Sequence, residues 1–340
     1  MKRLLMLSFC CLILASIVFA SGSPEVDPGP ARELVIYSPP NEEHTSLVMS
    51  EFTKETGVTV DYLRISAGEV LARIRAESAN PQADIWWGGS ADGHIAAMHE
   101  GLLVPYASPA GDVIPEQFRD PDRYWHGIYL ATLCFAVNDE ELERIGVSAP
   151  ETWDDLLNPA FRGRISMPDP NTSGTAYGVL STMVQMLGED AAFAYLEELN
   201  ANIHQYTRSG IAPLQQAGLG EVAVGIVYDV NARQFIQEGF PLRVIYPSDG
   251  TGFEVGAVSI VKNGPNDVQV AREFVDYALR ALTMEMGIDA GIPYLLPHPD
   301  ARVHELAVPL EEVNVIDFDF EWSGANKVRL LERWNAIVSD

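Results

Sequence analysis

The stretch Asp169-Pro-Asn-Thr-Ser-Gly-Thr-Ala-Tyr177 gathers hydroxyls and free backbone N–H groups where a long amphipathic run, about Ser173 to Leu187, begins. A helix start carries the positive end of the helix dipole, so this one favours a phosphate, phosphonate or carboxylate. Plain N-capping by Thr172 or Ser173 is the structural alternative, with Gly174 and Thr175 following. Gly88-Gly89-Ser90 opens a second predicted helix, and Ser209-Gly210 a third, with Arg208 beside it as a counter-charge. Several such starts facing one cleft strengthen the anion-binding reading. Tyr228-Asp229-Val230-Asn231 follows an apolar strand and is expected to point into the same cleft. There Tyr228 and Asp229 would hydrogen-bond a ligand's hydroxyls or amine, or Tyr228 would ligate a metal; turn and cap duty is the alternative. Glu254 sits on a return strand and reaches either the cleft or only the hinge. Trp86 and Trp87 alternate across a strand, which leaves one of them to stack on a ring or sugar face.

Enzyme chemistry has no local mark. His94 and His99 are five apart and leave one helix face, which weakens a metal reading, and His298 and His304 fall in turns. No HExxH, CxxC, Walker loop or GxSxG occurs. A secreted hydrolase using the same cleft is retained as the competing class, because triads assemble from distant positions. Cys134, in Leu133-Cys-Phe-Ala-Val137, reads as a buried small hydrophobe.

The elements that must position these residues form two sets. Strands over 33–37, 58–65 and 83–87 alternate with helices over 41–56, 68–79 and 88–98, the pattern of a parallel sheet with right-handed crossovers. A second set runs through strands at 130–137, 164–167, 222–228 and 242–246, with helices at 173–187, 189–199, 209–218 and 231–238 between them. Phe253 to Val261 is near-continuously apolar and should be central and covered on both faces. Helices over 267–286 and 327–337 close the chain. Two apolar strands at the borders, 130–137 and 253–261, suggest a chain that crosses twice between lobes. Ligands in open parallel sheets sit beyond the strands' carboxyl ends, which here selects loops 38–44, 88–92, 168–176, 207–211 and 228–231.

With 22 basic against 48 acidic residues the chain carries a formal charge of −26, which argues against nucleic acid as a partner. At 47% hydrophobic over 340 residues it is long and apolar enough for a two-lobed core. Lys2-Arg3, the apolar run to Phe19 and Val18-Phe19-Ala20 read as a secretory signal peptide cut after Ala20, with an uncleaved anchor as the alternative. A tether over 21–32 follows. Cys10 and Cys11 fall in the signal, so Cys134 is left alone and no internal disulfide forms.

Leu34-Val-Ile-Tyr-Ser38, Ala83-Asp-Ile-Trp-Trp-Gly-Gly89, Thr152-Trp-Asp-Asp-Leu156, Asn171-Thr-Ser-Gly-Thr-Ala-Tyr177 and Gly250-Thr-Gly-Phe-Glu-Val-Gly256 resemble periplasmic solute-binding proteins of ABC importers, in the group labelled ferric-iron-binding. The resemblance implies an α/β, type II-like two-lobed fold with a cleft between the lobes and two hinge crossover strands. On this layout 33–129 with 254–310 forms lobe 1, 130–253 forms lobe 2, and 311–340 is a C-terminal helical segment. It further implies a periplasmic, monomeric, non-enzymatic carrier that hands a small-molecule ligand to a permease and its ATPase. Ferric binders pair adjacent tyrosines with a histidine and a carboxylate, whereas this chain has Tyr228 alone before Asp229, His44 near the first loop, and Gly89-Ser90 in place of a glutamate. Other branches of the family resemble this chain in the Ser173-Gly-Thr-Ala-Tyr177 helix start and take phosphorylated sugars or organophosphonates, which implies a small anionic, phosphorylated or phosphonate solute held by Ser38, Gly89, Ser90, Thr172, Ser173, Gly174, Thr175, Arg208, Ser209, Gly210, Tyr228, Asp229 and Glu254. No cofactor is expected. Fe(III), with Tyr228 and His44 as ligands, and a thiamine-like solute are the alternatives.

Overall fold

A computed structural model describes residues 32–338. The predicted signal peptide, its cleavage point and nearly all of the tether lie outside the described residues.

The first set of elements is β1 (Glu33–Ser38), α1 (Glu42–Thr56), β2 (Thr59–Arg64), α2 (Ala67–Ala76), β3 (Ile85–Ser90) and α3 (Ala91–His99). Local chemistry sets the ends of α1: Asn41 Oδ1 accepts from the His44 N–H at 3.0 Å, and Gly57 closes the helix at φ 72°. β1 runs parallel to both β2 and β3. A short β4 (Leu103–Val104) leads to the long β5 (His126–Val137), followed by α4 (Asp139–Ile145), β6 (Ile165–Pro168), α5 (Gly174–Leu187), α6 (Glu189–Asn200) and β7 (Ile203–Thr207). Next come α7 (Ala212–Gly218), β8 (Val224–Tyr228), α8 (Asp229–Gln237), β9 (Arg243–Ile245), β10 (Phe253–Val261), α9 (Val268–Ala278), α10 (Ala281–Asp289) and α11 (Phe320–Val338).

The strands join in the order β2-β1-β3-β10-β5-β8-β6-β7, with β4 on β10 and β9 on β5. β10 lies antiparallel between β3 and β5, and is buried along nearly its whole length. The first half of β5 pairs with β10, whereas Leu133 to Val137 pair with β8. These two strands therefore join the two parallel sets, and the cleft opens where they meet. Cys134 is buried in β5, in an apolar cluster with Leu214, Val222 and Val227, and burial pushes its thiol well up.

Several elements differ from the sequence reading. The helix over 267–286 is two, because Arg280 adopts an extended ψ of 144° and caps α10. Ser209-Gly210 does not open a helix: α7 starts at Ala212, after Ile211 and with Pro213 in its first turn. α8 starts at Asp229 rather than Asn231, with no turn between it and β8. β7 is a half-exposed edge strand with polar side chains, which hides its alternation.

Candidate functional site

A cleft lies beyond the carboxyl ends of β1, β2 and β3 on one side and of β6 and β8 on the other. It is lined by Pro39 to Asn41, Arg64, Ser66, Ala67, Gly89 and Ser90, and facing them by Ser173 to Thr175, Ser209 to Ile211, Val230 and Asn231. Tyr129, Tyr228, Glu254 and Tyr294 form its floor. Gly88 and Gly89 take φ of 89° and 81°, and a Cβ on either would strike Pro40 or Ala67. Glycine there lets β3 end close under the first loop, so that Ser90 and the start of α3 reach the ligand space. The two helix starts converge: a Cβ on Gly174 would lie 4.0 Å from the Ser90 backbone nitrogen.

Nine of the expected residues line the cleft together: Gly89, Ser90, Ser173, Gly174, Thr175, Ser209, Gly210, Tyr228 and Glu254. Four do not. Ser38 is buried, its Oγ 2.9 Å from Thr45 Oγ1. Thr172 turns its hydroxyl to the Arg208 carbonyl at 3.0 Å. Arg208 is exposed at the cleft mouth, paired with Glu69 across the opening, where Gly68 N–H also donates to the Thr172 carbonyl at 3.1 Å. Asp229, inside the first turn of α8, accepts the Thr132 N–H at 2.8 Å and the Tyr246 hydroxyl at 2.6 Å, and so braces β5 instead of facing ligand. Neither tryptophan reaches the cleft, since Trp86 stacks on His94 at 4.0 Å and Trp87 packs edge-on against His44 at 4.8 Å. His44 itself is buried behind Tyr294, and burial pushes its imidazole down to about 3, which keeps it neutral.

Sequence reasoning missed Tyr129, Tyr294, Arg64 and Ser66, whereas Asn231, in the expected loop 228–231, does line the cleft. Tyr129 and Tyr294 stack at 4.3 Å, and the Tyr129 hydroxyl accepts the Gly89 N–H at 2.9 Å, linking floor to helix start. Arg64, at the end of β2, supplies a guanidinium whose Nε is held by the Pro40 carbonyl at 2.8 Å. Burial, then the nearby Asp92 and Asp229 carboxylates, push the Glu254 carboxyl up to about 8. At neutral pH it is a neutral acid that both donates and accepts. Burial likewise raises the Tyr129, Tyr228 and Tyr294 phenols, so the floor is uncharged. The site thus joins an end rich in backbone donors to a neutral floor able to hydrogen-bond hydroxyls. Among the described residues no cluster of three or more His, Cys, Asp or Glu is placed to hold a metal.

The chain belongs to the bacterial extracellular solute-binding protein family, whose model matches residues 80–321. It is 35% identical over 336 residues to an uncharacterized protein of Haemophilus influenzae, covering 96% of both chains. The "Probable ABC transporter periplasmic-binding protein y4fP" of Sinorhizobium fredii is 25% identical, with 90% of this chain and 86% of that one covered. Among solved structures, the periplasmic binding protein AfuA from Actinobacillus pleuropneumoniae, with exogenous fructose-6-phosphate bound, superposes with a TM-score of 0.88 at 36% identity, over 90% of this chain and 98% of that one. Fold and family together define the periplasmic substrate-binding component of an ABC transporter, a transport part rather than an enzyme. Among the described residues no helix is long and apolar enough to cross a membrane.

Proposed function

We propose that this chain captures a small phosphorylated organic solute in the periplasm and delivers it to a permease and its ATPase. The observation that carries the reading is the convergence of the α3 and α5 starts, Ser90 against Ser173-Gly174-Thr175, beside the Arg64 guanidinium. The phosphate sits among these donors, and the organic part lies over Tyr129, Tyr294 and Glu254, with Asn231 beside it. Fructose-6-phosphate in the AfuA structure supports this class of ligand. Residues 1–20 act as the export signal, cut after Ala20. Lobes of 33–129 with 254–310 and of 130–253 close by rotation about β5 and β10, and closure is favoured by what ligand gains from touching both sides. Arg208–Glu69 and Gly68–Thr172 join the two sides at the mouth, contacts that favour closure.

Native mass spectrometry of protein purified from its own periplasm, with phosphorus and iron analysis, tests the reading. Phosphorus with a small organic mass is expected. Stoichiometric iron would overturn it in favour of Fe(III), the second reading, for which the hydrogen-bonded Tyr228 and Glu254 side chains, with Tyr129 beside them on the floor, are the favouring observation. Turnover of phosphate esters by the purified chain would overturn both.

A further inference from the structure

Behind Ser90 lies a buried chain of charges that ligand binding alone does not explain. Ser90 Oγ donates to Asp92 Oδ2 at 2.7 Å, and Lys327 Nζ, from the far C-terminal α11, donates to Asp92 Oδ1 at 2.7 Å. The Lys327 and Asp92 side chains are only 4% and 1% exposed, and the ammonium also lies 3.4 Å from the centroid of the Tyr177 ring on α5. Breaking such a buried pair is costly, and hydrophobic residues of similar size would be at least as stable, so the pair calls for a reason beyond stability.

The hydrogen-bond directions supply one. Asp92 in an ion pair is an acceptor only, so the Ser90 proton must point inward to it. Although Ser90 occupies the N-cap of α3, its hydroxyl makes no capping bond to the helix N–H groups. The Ser90 lone pairs are thus uncommitted within the protein, on a residue that lines the cleft. α11 holds Lys327 in place from both sides of the cleft: Gly324 packs on Ile95 of α3, while the Ser323 carbonyl accepts the Tyr177 hydroxyl at 2.6 Å and Ser323 Oγ lies 2.8 Å from Ser181 Oγ, both on α5.

We propose that Lys327 is a positioning residue of the cleft, which through Asp92 fixes the Ser90 hydroxyl as a hydrogen-bond acceptor, so that the ligand atom seated there is an O–H donor. This rests on the phosphorylated-solute reading and sharpens it: backbone N–H groups and Arg64 take the anionic oxygens, while Ser90 selects a ligand that also carries an O–H, on a sugar carbon or on a singly protonated phosphate. A fully deprotonated anion of the same size gains nothing from Ser90.

The test is a cycle of Ser90→Ala in the wild type and in an Asp92→Leu/Lys327→Met background, which removes both charges and the acceptor together and so frees the serine proton. Fructose 6-phosphate and inorganic phosphate are the probes, read by calorimetry. In the wild type Ser90→Ala should weaken fructose 6-phosphate about threefold to tenfold, the worth of one hydrogen bond. In the neutralised background the same substitution should cost less than about twofold, because Ser90 is no longer held as an acceptor. If inorganic phosphate shows the same pattern, the O–H is on the phosphate; if only the ester does, it is an alcohol. Should the double variant not fold, Asp92→Leu alone provides the second background. Equal costs in both backgrounds, or no cost in the wild type, would overturn the inference while leaving the phosphate reading intact. A wild type that binds neither probe would overturn both.

Discussion

One end of the cleft is made from short runs of consecutive residues, Gly89-Ser90, Ser173-Gly174-Thr175 and Ser209-Gly210, that offer backbone N–H groups and hydroxyls. The other end is made from four single side chains, Tyr129, Tyr228, Glu254 and Tyr294, that arrive from distant parts of the chain. The first end depends on backbone direction and tolerates the loss of any one side chain. The second depends on buried titratable groups, and three of its four members sit on β5 and β10, which join the two parallel sets, and on β8 beside them. Binding and folding are therefore tied together on the floor and largely separate at the helix starts.

The largest expected effect tests the floor through its charge. The Glu254 carboxyl rises from 4.5 to about 8 on folding, so the folded state holds a proton that the unfolded chain releases above about 4.5. This group's contribution to stability is full below that pH and is lost as pH climbs to about 8, for a total of roughly 3–5 kcal/mol. Glu254→Gln should flatten the stability–pH curve between 4.5 and 8 in urea titrations and leave the variant the more stable of the two at pH 8.5. An unchanged slope would mean that Glu254 is solvated and ionised, and that the floor is not the uncharged surface described. Next in size is Gly256→Ala. A Cβ there would overlap the Tyr129 ring, and such overpacking costs about 1–3 kcal/mol. Because Tyr129 also holds the Gly89 N–H, ligand affinity should fall along with the urea midpoint. Loss of stability with full affinity would separate floor from hinge.

The same contrast accounts for what could be read from the sequence. Both parallel sets and the long hinge strands were legible, because Gly57 after α1 and the near-continuous apolar run of β10 are local signals. The α3 and α5 starts were legible too, since each puts its donors within a few neighbouring residues, whereas Ser209-Gly210 lines the cleft without opening a helix. Tyr228 and Glu254 on the floor were expected, but Tyr129 and Tyr294 were hidden: in a strand as buried as β5, nothing local separates a tyrosine that faces a cleft from one that faces the core. Tyr294, in a loop, becomes a floor residue only by stacking on Tyr129, more than a hundred residues away. Asp229 was misplaced for a related reason. β8 runs into α8 without a turn, so the carboxylate swings back to the Thr132 N–H instead of out to solvent. Trp86 and Trp87 failed as ring-stacking candidates because β3 is covered on both faces, so alternation provides no outside.

At the helix starts, Ser173→Ala with Thr175→Ala should weaken fructose 6-phosphate about tenfold, each hydroxyl contributing one hydrogen bond while the N–H groups remain. The urea midpoint should stay within about 0.5 kcal/mol of wild type, because no side-chain cap bond is made at Ser173. A matching loss of stability would erase the distinction between the two ends.

The smallest effect belongs to Arg208, which charge alone would place among the ligand's partners. Its side chain is 81% exposed and its guanidinium is engaged by Glu69 across the mouth, outside the lining. An exposed pair of this kind is worth about 0–1 kcal/mol and is screened by salt. Arg208→Ala should therefore weaken ligand by no more than about fivefold, through a less favoured closed form, and the deficit should vanish in high salt. Glu69→Ala should behave the same way, since either substitution breaks the same bridge. If Arg208→Ala alone cost a hundredfold or more, the guanidinium would have to leave Glu69 for the ligand. The anion end would then owe its strength to a mobile side chain and not to the fixed backbone donors of α3 and α5.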